Sequence, residues 1–462
     1  MEVRSRDYAA RARATLRDEP GVREAVIGAT VAFDRHREQA YGEVDADAWR
    51  AWASDVKGHA LTNLADYLEE AERRLTENGV VVHWAETAAD VHSVLEGVAA
   101  AHGVRRVVKG KSMLSEELGV NAALQGQGIE VVETDLGEYV IQLFGEPPSH
   151  ILGPAIHRSL HDIQQLFHRV HGTPLDATPE DLAAAARSAL REAFLTAEMG
   201  ITGGNFLVAE TGTLALIENE GNIRLATSVP KVHVALVGIE KVVARWSDLA
   251  GMVQLTSRAA TGQAVGTFVS MIHGPRRDGE PDGPEAVHVI LVDNGRTGML
   301  ADESTWEALK CVRCGACLNV CPVYRQTGGH AYGWVYSGPI GAVLAPGLLG
   351  LDEGGTLPFA SSLCGACTEV CPVRIPLHEM LLTWRRRAVE AGMAPTTERV
   401  LMSAYAAAAK RPALFRIGAA GLRLLPSAVR RRLPFLGSWL SVHGALPWSR
   451  PSFMRRRKDG PT

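Results

Sequence analysis

The chain has 462 residues, of which 46% are hydrophobic and 22% charged, with a formal net charge of −4 at pH 7. Because this length exceeds what one ordinary hydrophobic core accommodates, we expect two or three domains. The composition is typical of a soluble globular protein, and the nearly balanced charge gives no reason to expect a nucleic-acid partner.

Residues 1–80 are predicted to form an N-terminal helical region. Apolar residues recur at spacings of three and four in Ala9–Arg17 and Trp49–Arg74, the pattern of amphipathic helices. The first twenty residues have mixed charge and lack the apolar segment of a secretory signal. The longest apolar run, Ile340–Leu351, is short and interrupted by Pro346. We therefore expect a cytoplasmic location.

Residues 81–300 are predicted to form an α/β domain. Short β-rich runs alternate with helical stretches such as Thr87–Ala101 and Pro179–Glu198. Strands interleaved with helices are typical of a mainly parallel sheet. The predicted strands are Val80–Trp84, Arg106–Lys109, Ile129–Glu133, Tyr139–Leu143, Phe206–Ala209, Thr213–Ile217, Val232–Val237 and Val287–Val292.

Polar residues follow several of these predicted strands. They are Lys109, Lys111 and Ser112, the segment Glu133–Glu138, and Thr202–Asn205. Ligands of α/β proteins bind at the carboxyl ends of parallel strands. These residues therefore predict a pocket for a small anion or carboxylate, the alternative being ordinary surface loops.

Two nucleotide-binding patterns and one metal-binding pattern are incomplete in this domain. Gly110-Lys111-Ser112 resembles the end of a phosphate-binding loop, but Arg105 stands where that loop needs glycine. No G-x-G-x-x-G follows a strand, so dinucleotide binding of the Rossmann type has no support. His157 and His161 lack the glutamate of H-E-x-x-H, and we expect an exposed helical pair.

All seven cysteines lie in residues 301–395, which we predict to be an iron–sulfur domain. The segment Cys311–Pro322 has the spacing C-x2-C-x2-C-x3-C-P. In two-cluster ferredoxins the first three thiolates bind one cluster and the fourth binds the other. Zinc motifs usually separate two C-x2-C pairs by a longer segment. An odd number of clustered cysteines also argues against disulfides.

A second copy of the motif covers Ser361–Pro372 and has Ser361 where the first cysteine would stand. Crossed ligation then gives one complete thiolate set and one set of three. The first cluster, a [4Fe–4S] cluster, would be bound by Cys311, Cys314, Cys317 and Cys371. The second would be bound by Cys321, Cys364 and Cys367, and is either a [4Fe–4S] cluster with another fourth ligand, for which Ser361 is a candidate, or a [3Fe–4S] cluster. Two such clusters predict electron transfer.

The 42-residue insert between the two motifs contains Tyr332, Trp334 and Tyr336. We expect a cover of loops and helices. Its aromatic side chains either shield a cluster or meet a partner, or they simply belong to the core.

Residues 396–462 are predicted to form a basic C-terminal tail. From Lys410 onward, 12 Lys and Arg residues and one acidic residue give a net charge of +11, whereas the preceding 409 residues carry 36 basic and 51 acidic residues. Leu414–Leu425 and Val429–Leu440 mix apolar residues with arginine. Such a tail can dock on an acidic partner, lie on anionic lipid, or remain solvated.

Several long segments resemble the lactate utilization protein B (LutB) family of iron–sulfur proteins with a LUD domain. The resemblance covers about residues 50–450. It rests on both cysteine motifs and on the segments 107–124, 131–143, 198–224, 234–243 and 282–296.

The resemblance implies a fold, a function and partners. The LUD domain of this family is similar to the ribose-phosphate isomerase and CoA-transferase fold, and its cysteine domain resembles a small α-helical two-cluster ferredoxin. All seven cysteines match the family's cluster ligands. The implied role is electron relay in the oxidation of L-lactate to pyruvate, with a CCG-motif iron–sulfur subunit and a LUD-only subunit as partners.

Two other functions stay open from the sequence. In the first, the LUD domain is itself an enzyme of the transferase or isomerase type with an accessory ferredoxin module. Ile217–Gly221 is a distorted version of the E-N-G loop that carries the glutamate nucleophile of CoA-transferases. Alternatively, the LUD domain serves only to dock neighbouring proteins.

Overall fold

Two β-sheets form the centre of the computed structural model, which describes residues 3–394 and 396–424. The ten strands of these sheets follow one another along the α/β segment of the chain. They are β1 (Val81–Ala85), β2 (Arg106–Lys109), β3 (Glu130–Glu133), β4 (Met199–Thr202), β5 (Phe206–Val208), β6 (Thr213–Glu218), β7 (Val232–Gly238), β8 (Val242–Val243), β9 (Phe268–Ile272) and β10 (Ala286–Val292).

The larger sheet has six parallel strands in the order β1-β10-β7-β4-β2-β3. Every residue of β7 is buried, as expected where helices cover both faces of a parallel sheet. The predicted α/β domain with a mainly parallel sheet is therefore confirmed. Helices associated with the two sheets are Ala88–His102, Met113–Glu117, Val120–Gly126, Leu136–Phe144, Leu160–His171, Pro179–Thr196, Asn222–Ser228, Trp246–Thr261 and Arg296–Leu300.

The smaller sheet, in the order β8-β5-β6-β9, links the α/β domain to the cysteine-bearing segment. Residues of β5 and β6 share one hydrophobic core with the helix Trp246–Thr261. The same continuous core contains five of the seven cysteines and the buried aromatic side chains around them. The sheets and the cysteines therefore belong to one packed body.

The structure differs from the predicted secondary structure at several elements. Tyr139–Leu143 is part of the helix Leu136–Phe144, not a strand, because the Asp135 carboxylate caps the helix by accepting the Glu138 N–H. Strands β4, β8 and β9 were not predicted, although β4 lies at the middle of the larger sheet. The segment Trp49–Arg74, for which helical spacing was noted, lies in two helices that meet at Asn63.

The N-terminal helices pack against the cysteine-bearing segment. Arg11 donates hydrogen bonds to the carbonyl of His330, and Arg50 donates one to the carbonyl of Cys371. The N-terminal helices are Tyr8–Asp18, Pro20–Tyr41, Ala46–Thr62 and Leu64–Glu77, and those of the cysteine-bearing segment are Ala316–Asn319, Tyr324–Thr327, Gly338–Leu348, Leu351–Gly354, Ala366–Glu369 and Leu377–Glu390.

The chain divides into two units, Met1–Ala388 and Val389–Thr462. The described part of the second unit contains the helices Thr396–Ala409 and Pro412–Leu424. Large apolar side chains of both helices are exposed, among them Met402, Tyr405 and Ile417. Across residues 3–394 and 396–424, no helix is long and apolar enough to cross a bilayer.

Candidate iron–sulfur centre

The two cysteine motifs fold in the same way. Arg313 and Leu363, directly before Cys314 and Cys364, both have positive φ, as do Gly315 and Gly365 directly after these cysteines. A short helix follows in each copy, Ala316–Asn319 and Ala366–Glu369. Positive φ is costly for residues other than glycine, so its recurrence in both copies marks a backbone path that the motif requires.

Four cysteines from both motifs line one small cavity: Cys311, Cys314, Cys317 and Cys371. Its other walls are mainly apolar side chains, such as Ile340, Val373 and Leu377. The structure thus brings Cys371 of the second motif to the first three cysteines of the first motif. Their role as cluster ligands stays a prediction.

The sulfur atoms receive backbone hydrogen bonds. The Arg313 N–H donates to Cys311 Sγ at 3.4 Å, the Ile375 N–H to Cys371 Sγ at 3.3 Å, and the Tyr324 N–H to Cys321 Sγ at 3.5 Å. Such bonds orient thiolate ligands and set the potential of a cluster.

Burial makes these thiols difficult to ionise without a metal. Burial, and then the charge of nearby cysteines, raises the pKa of Cys314 and Cys317. The pKa of Cys371 is raised to about 12, mainly by burial. All seven cysteines are free. Several buried sulfur donors that repel one another as anions fit a cationic iron core, because soft thiolates are the donors that iron–sulfur clusters use.

The remaining three cysteines, Cys321, Cys364 and Cys367, influence one another. Burial, and then the charge of Cys321, raises the pKa of Cys367 to about 11. Cys364 is exposed, whereas Cys321 and Cys367 are buried. The Ser361 hydroxyl accepts the Leu363 N–H at 3.1 Å. That Ser361 binds iron as the fourth ligand stays a prediction.

The aromatic residues of the insert lie in the core. Tyr332, Trp334 and Tyr336 are all buried. The Tyr332 ring lies 5.2 Å from that of Tyr8, and the Tyr336 hydroxyl donates to Glu117 Oε2 at 2.7 Å. They therefore pack around the cysteines instead of forming a partner-binding surface.

A larger cavity of about 300 Å³ lies at the carboxyl ends of the parallel strands. Lys111, Ser112, Asp135 and Gly203–Asn205 line it, as the polar strand ends predict. Lys109 and Glu133 are not part of its wall. Their side chains form a buried ion pair at 2.8 Å, which is a structural role.

Four charged residues of this cavity were not singled out from the sequence: Glu240, Lys241, Arg296 and Arg313. Burial would raise the pKa of Glu240, but the opposing attraction of Arg296, and then of Lys241 and Arg313, lowers it to about 2. Burial, and then repulsion by Arg313, lowers the pKa of Lys241 to about 8. The available signal was two adjacent charged residues between the apolar strands β7 and β8.

The prediction for His157 and His161 was wrong. His157 precedes the helix Leu160–His171 and is buried, with its Nε2 2.8 Å from Glu146 Oε2. Burial lowers the pKa of His157 to about 4. Of the two histidines, His161 is the one that lies exposed on the helix. The helix begins after its N-cap, Ser159, and therefore does not include His157.

Comparison with known proteins gives two family matches. Residues 68–292 match the LUD domain, and residues 307–375 match the 4Fe-4S dicluster domain.

Similar proteins cover most of the chain. Lactate utilization protein B of Bacillus velezensis is 44% identical over 87% of this chain and 85% of its own length. The corresponding values for an uncharacterized electron transport protein, YkgF, of Escherichia coli are 42%, 90% and 88%. A crystal structure of a DUF162 family protein from Deinococcus radiodurans aligns with 50% of this chain and 98% of its own, at 16% identity and a TM-score of 0.29, which is too low to support any argument.

Proposed function

This chain belongs to the lactate utilization protein B family, and from that membership we propose that it is the electron-relay subunit of a system that oxidises L-lactate to pyruvate. At the coarser level it is an iron–sulfur protein of lactate utilization. What we propose beyond this is the path of the electrons: the chain accepts them from a lactate-oxidising partner and passes them on.

The observation that carries this proposal is the grouping of the cysteines. Four of them line one cavity. The charges of the other three, Cys321, Cys364 and Cys367, act on one another, and Cys364 is exposed. We propose two clusters: a [4Fe–4S] cluster on Cys311, Cys314, Cys317 and Cys371, and a second [4Fe–4S] or [3Fe–4S] cluster on Cys321, Cys364 and Cys367. Bound clusters of this kind accept and release single electrons.

The surrounding residues are suited to controlling such a relay. The mainly apolar walls of the first cavity exclude water, which reduces the screening of nearby charges. Arg50 and Lys241 donate to the carbonyls of Cys371 and Cys311. Their positive charges, with that of Arg313, favour the reduced and more negative state of the first cluster. The exposed Cys364 is the point at which we expect an electron-transfer partner to approach.

We propose a CCG-motif iron–sulfur protein and a LUD-only protein as the partner subunits. The alternative is that the LUD domain is a transferase or isomerase with an accessory ferredoxin module. Both Glu218 carboxylate oxygens accept backbone N–H groups, from Ile223 at 2.7 Å and Arg224 at 2.8 Å. A carboxylate engaged in this way is a poor nucleophile, which favours the relay.

The test uses the full-length chain, purified without oxygen. We expect about seven to eight irons for each chain, with matching sulfide. With L-lactate and an artificial electron acceptor, the chain alone should show no turnover. With its partner subunits, L-lactate should reduce both clusters, as followed by electron paramagnetic resonance. Zinc instead of iron, or lactate oxidation by the isolated chain, would contradict the proposed role.

A further inference from the structure

The larger cavity adjoins the cavity that the four cysteines line. Val312, Arg313 and Cys314 contribute to the walls of both. A molecule bound in the larger cavity would therefore be separated from the proposed first cluster only by the polypeptide that carries Cys314. This position at the carboxyl ends of parallel strands is also where α/β proteins bind ligands.

Two cations in this cavity have hydrogen-bonding capacity that the protein does not use. Within residues 3–394 and 396–424, Arg313 Nη1 is a buried atom with no hydrogen-bond partner. The Arg313 side chain as a whole is 10% exposed. The Arg313 guanidinium otherwise lies over the Tyr336 ring and 3.4 Å from Glu240 Oε1. Lys241 Nζ has one long hydrogen bond, 3.4 Å, to the carbonyl of Cys311. An unpaired buried guanidinium N–H is costly, so a ligand that accepts from it would be stabilised.

The carboxylates of the cavity already have partners inside the protein. Glu240 Oε2 accepts from Arg296 Nε at 2.7 Å, and Glu218 accepts two backbone N–H groups. Glu220 accepts the Leu136 N–H at 3.1 Å. The hydrogen-bonding capacity that Lys241 and Arg313 leave unused therefore suits an external anion.

The other residues of the cavity limit the charge and nature of that anion. Asp135, Glu218, Glu220 and Glu240 line it together with Lys111, Lys241, Arg296 and Arg313. The wall therefore carries no excess positive charge that would favour a dianion such as phosphate over a monoanion. Apolar side chains, including Phe33, also contribute to the wall. We propose that this cavity binds a small organic monocarboxylate, whose carboxylate lies on Lys241 and Arg313 beside Cys314.

The test begins with equilibrium binding to the cluster-loaded, full-length chain by titration calorimetry. The probes are L-lactate, D-lactate, pyruvate, acetate and inorganic phosphate. We expect at least one carboxylate to bind and phosphate to bind more weakly. Failure of all the carboxylates to bind, or preference for phosphate, would overturn the proposal.

Two variants test where the anion binds. Lys241→Gln removes a charged hydrogen bond and should weaken binding by about tenfold or more. Ala260→Leu places a larger side chain in the wall of the cavity, which reduces the space for a ligand without changing any charge, and should also weaken binding. Lys231→Gln, at an exposed lysine elsewhere on the α/β domain, is the control and should bind as the wild type does. Iron content is measured for each variant. Unchanged binding in both cavity variants would contradict the site.

The effect on the cluster rests on the proposed function. A bound anion beside Cys314 should lower the midpoint potential of the first cluster, because negative charge disfavours reduction. Ala260→Leu should abolish this shift. Binding without any shift would overturn the placement beside Cys314. If lactate reduces the clusters in the presence of the partners but none of the carboxylates binds to this chain, the relay stands and the carboxylate site is wrong.

Discussion

Cys371 and Cys364 provide a matched pair for testing how the thiolates are shared. Cys371→Ser should damage the cluster of Cys311, Cys314 and Cys317, although Cys371 belongs to the second motif, since fourth cysteines of this spacing bind the other cluster. Cys364→Ser should instead affect the second cluster. Electron paramagnetic resonance of each reduced variant, with iron analysis, distinguishes the two.

The opposite assignment is equally visible in this experiment. If Cys371→Ser changes only the signal that Cys364→Ser also changes, the crossed arrangement is incorrect. In the wild type, controlled oxidation should first convert the three-cysteine cluster to a [3Fe–4S] form. Its characteristic signal should be absent from a preparation of Cys364→Ser that has lost this cluster.

At the scale of single residues, functional residues that belong to a local spacing pattern could be predicted from the sequence, whereas buried contacts between distant segments could not. Cysteine intervals and strand-end polar residues can be read from the chain, so the cysteine groups and Lys111, Ser112 and Asp135 could be singled out. The contacts of Lys241 and Arg313 in the cavity could not be predicted, although Lys241 belongs to a charged pair between two apolar strands and Arg313 lies within the first cysteine motif. Their surroundings come from segments distant along the chain, and no local pattern encodes such contacts. The prediction for His157 was wrong because it assumed that one helix contains both His157 and His161, whereas the helix begins after Ser159.

At the scale of secondary-structure elements, a buried ion-pair network joins the α/β domain to the insert. Arg296, 1% exposed, binds Glu117 Oε2 through Nη2 at 2.8 Å and Glu240 Oε2 through Nε at 2.7 Å. Tyr336 of the insert donates to the same Glu117 oxygen as Arg296 Nη2. Breaking one partner of such a network leaves a buried charge uncompensated.

We therefore expect Glu117→Gln to lower the free energy of unfolding by about 3–5 kcal/mol at neutral pH. Glu130→Gln, which removes a partly exposed ion pair with Arg106, should cost at most about 1 kcal/mol. Urea unfolding followed by tryptophan fluorescence measures both. A Glu117→Gln cost as small as that of Glu130→Gln would show that the network contributes little.

The same network predicts how stability depends on pH. Although burial opposes it, attraction to Arg296 lowers the pKa of Glu117, and the pKa of Glu240 is about 2 in the folded protein. A lowered folded pKa contributes stability above the unfolded value, about 4.3 for Glu. This contribution is lost as the pH falls from there through the lowered pKa values of the folded protein. The difference between wild type and Glu117→Gln should accordingly shrink below about pH 4.

Element prediction succeeded where local pattern and tertiary environment agree. Strand β2 has the predicted bounds, and β7 extends its prediction by one residue. Tyr139–Leu143 has the β-branched and aromatic composition of a strand, but a helix cap and one buried face override that preference. Strand β4 has the sequence Met-Gly-Ile-Thr, and a Cβ on its Gly200 would clash with the Ala226 backbone. That close approach explains the glycine and is invisible without the fold.

At the scale of the whole molecule, the acidic and the basic parts of the chain suggest different functions, electron transfer for the first and docking for the second. Residues up to 409 carry the cysteines and a net negative charge, whereas residues 410–462 carry 12 basic residues and one acidic residue. The described helix Pro412–Leu424 has exposed Leu414, Phe415 and Ile417. The predicted segment Val429–Leu440 lies outside the described residues. We propose that the tail docks the chain onto an acidic surface of a partner subunit.

Deleting residues 410–462 tests this docking. Both clusters should remain, because every cysteine lies earlier in the chain, while recovery of the partner subunits in a pull-down at moderate salt should fall. The double substitution Phe415→Ser and Ile417→Ser keeps the charge and should weaken recovery less, if electrostatic attraction dominates. Unchanged recovery after the deletion would refute docking. Loss of binding to anionic liposomes by the same deletion, with recovery unchanged, would instead identify lipid as the surface that the tail contacts.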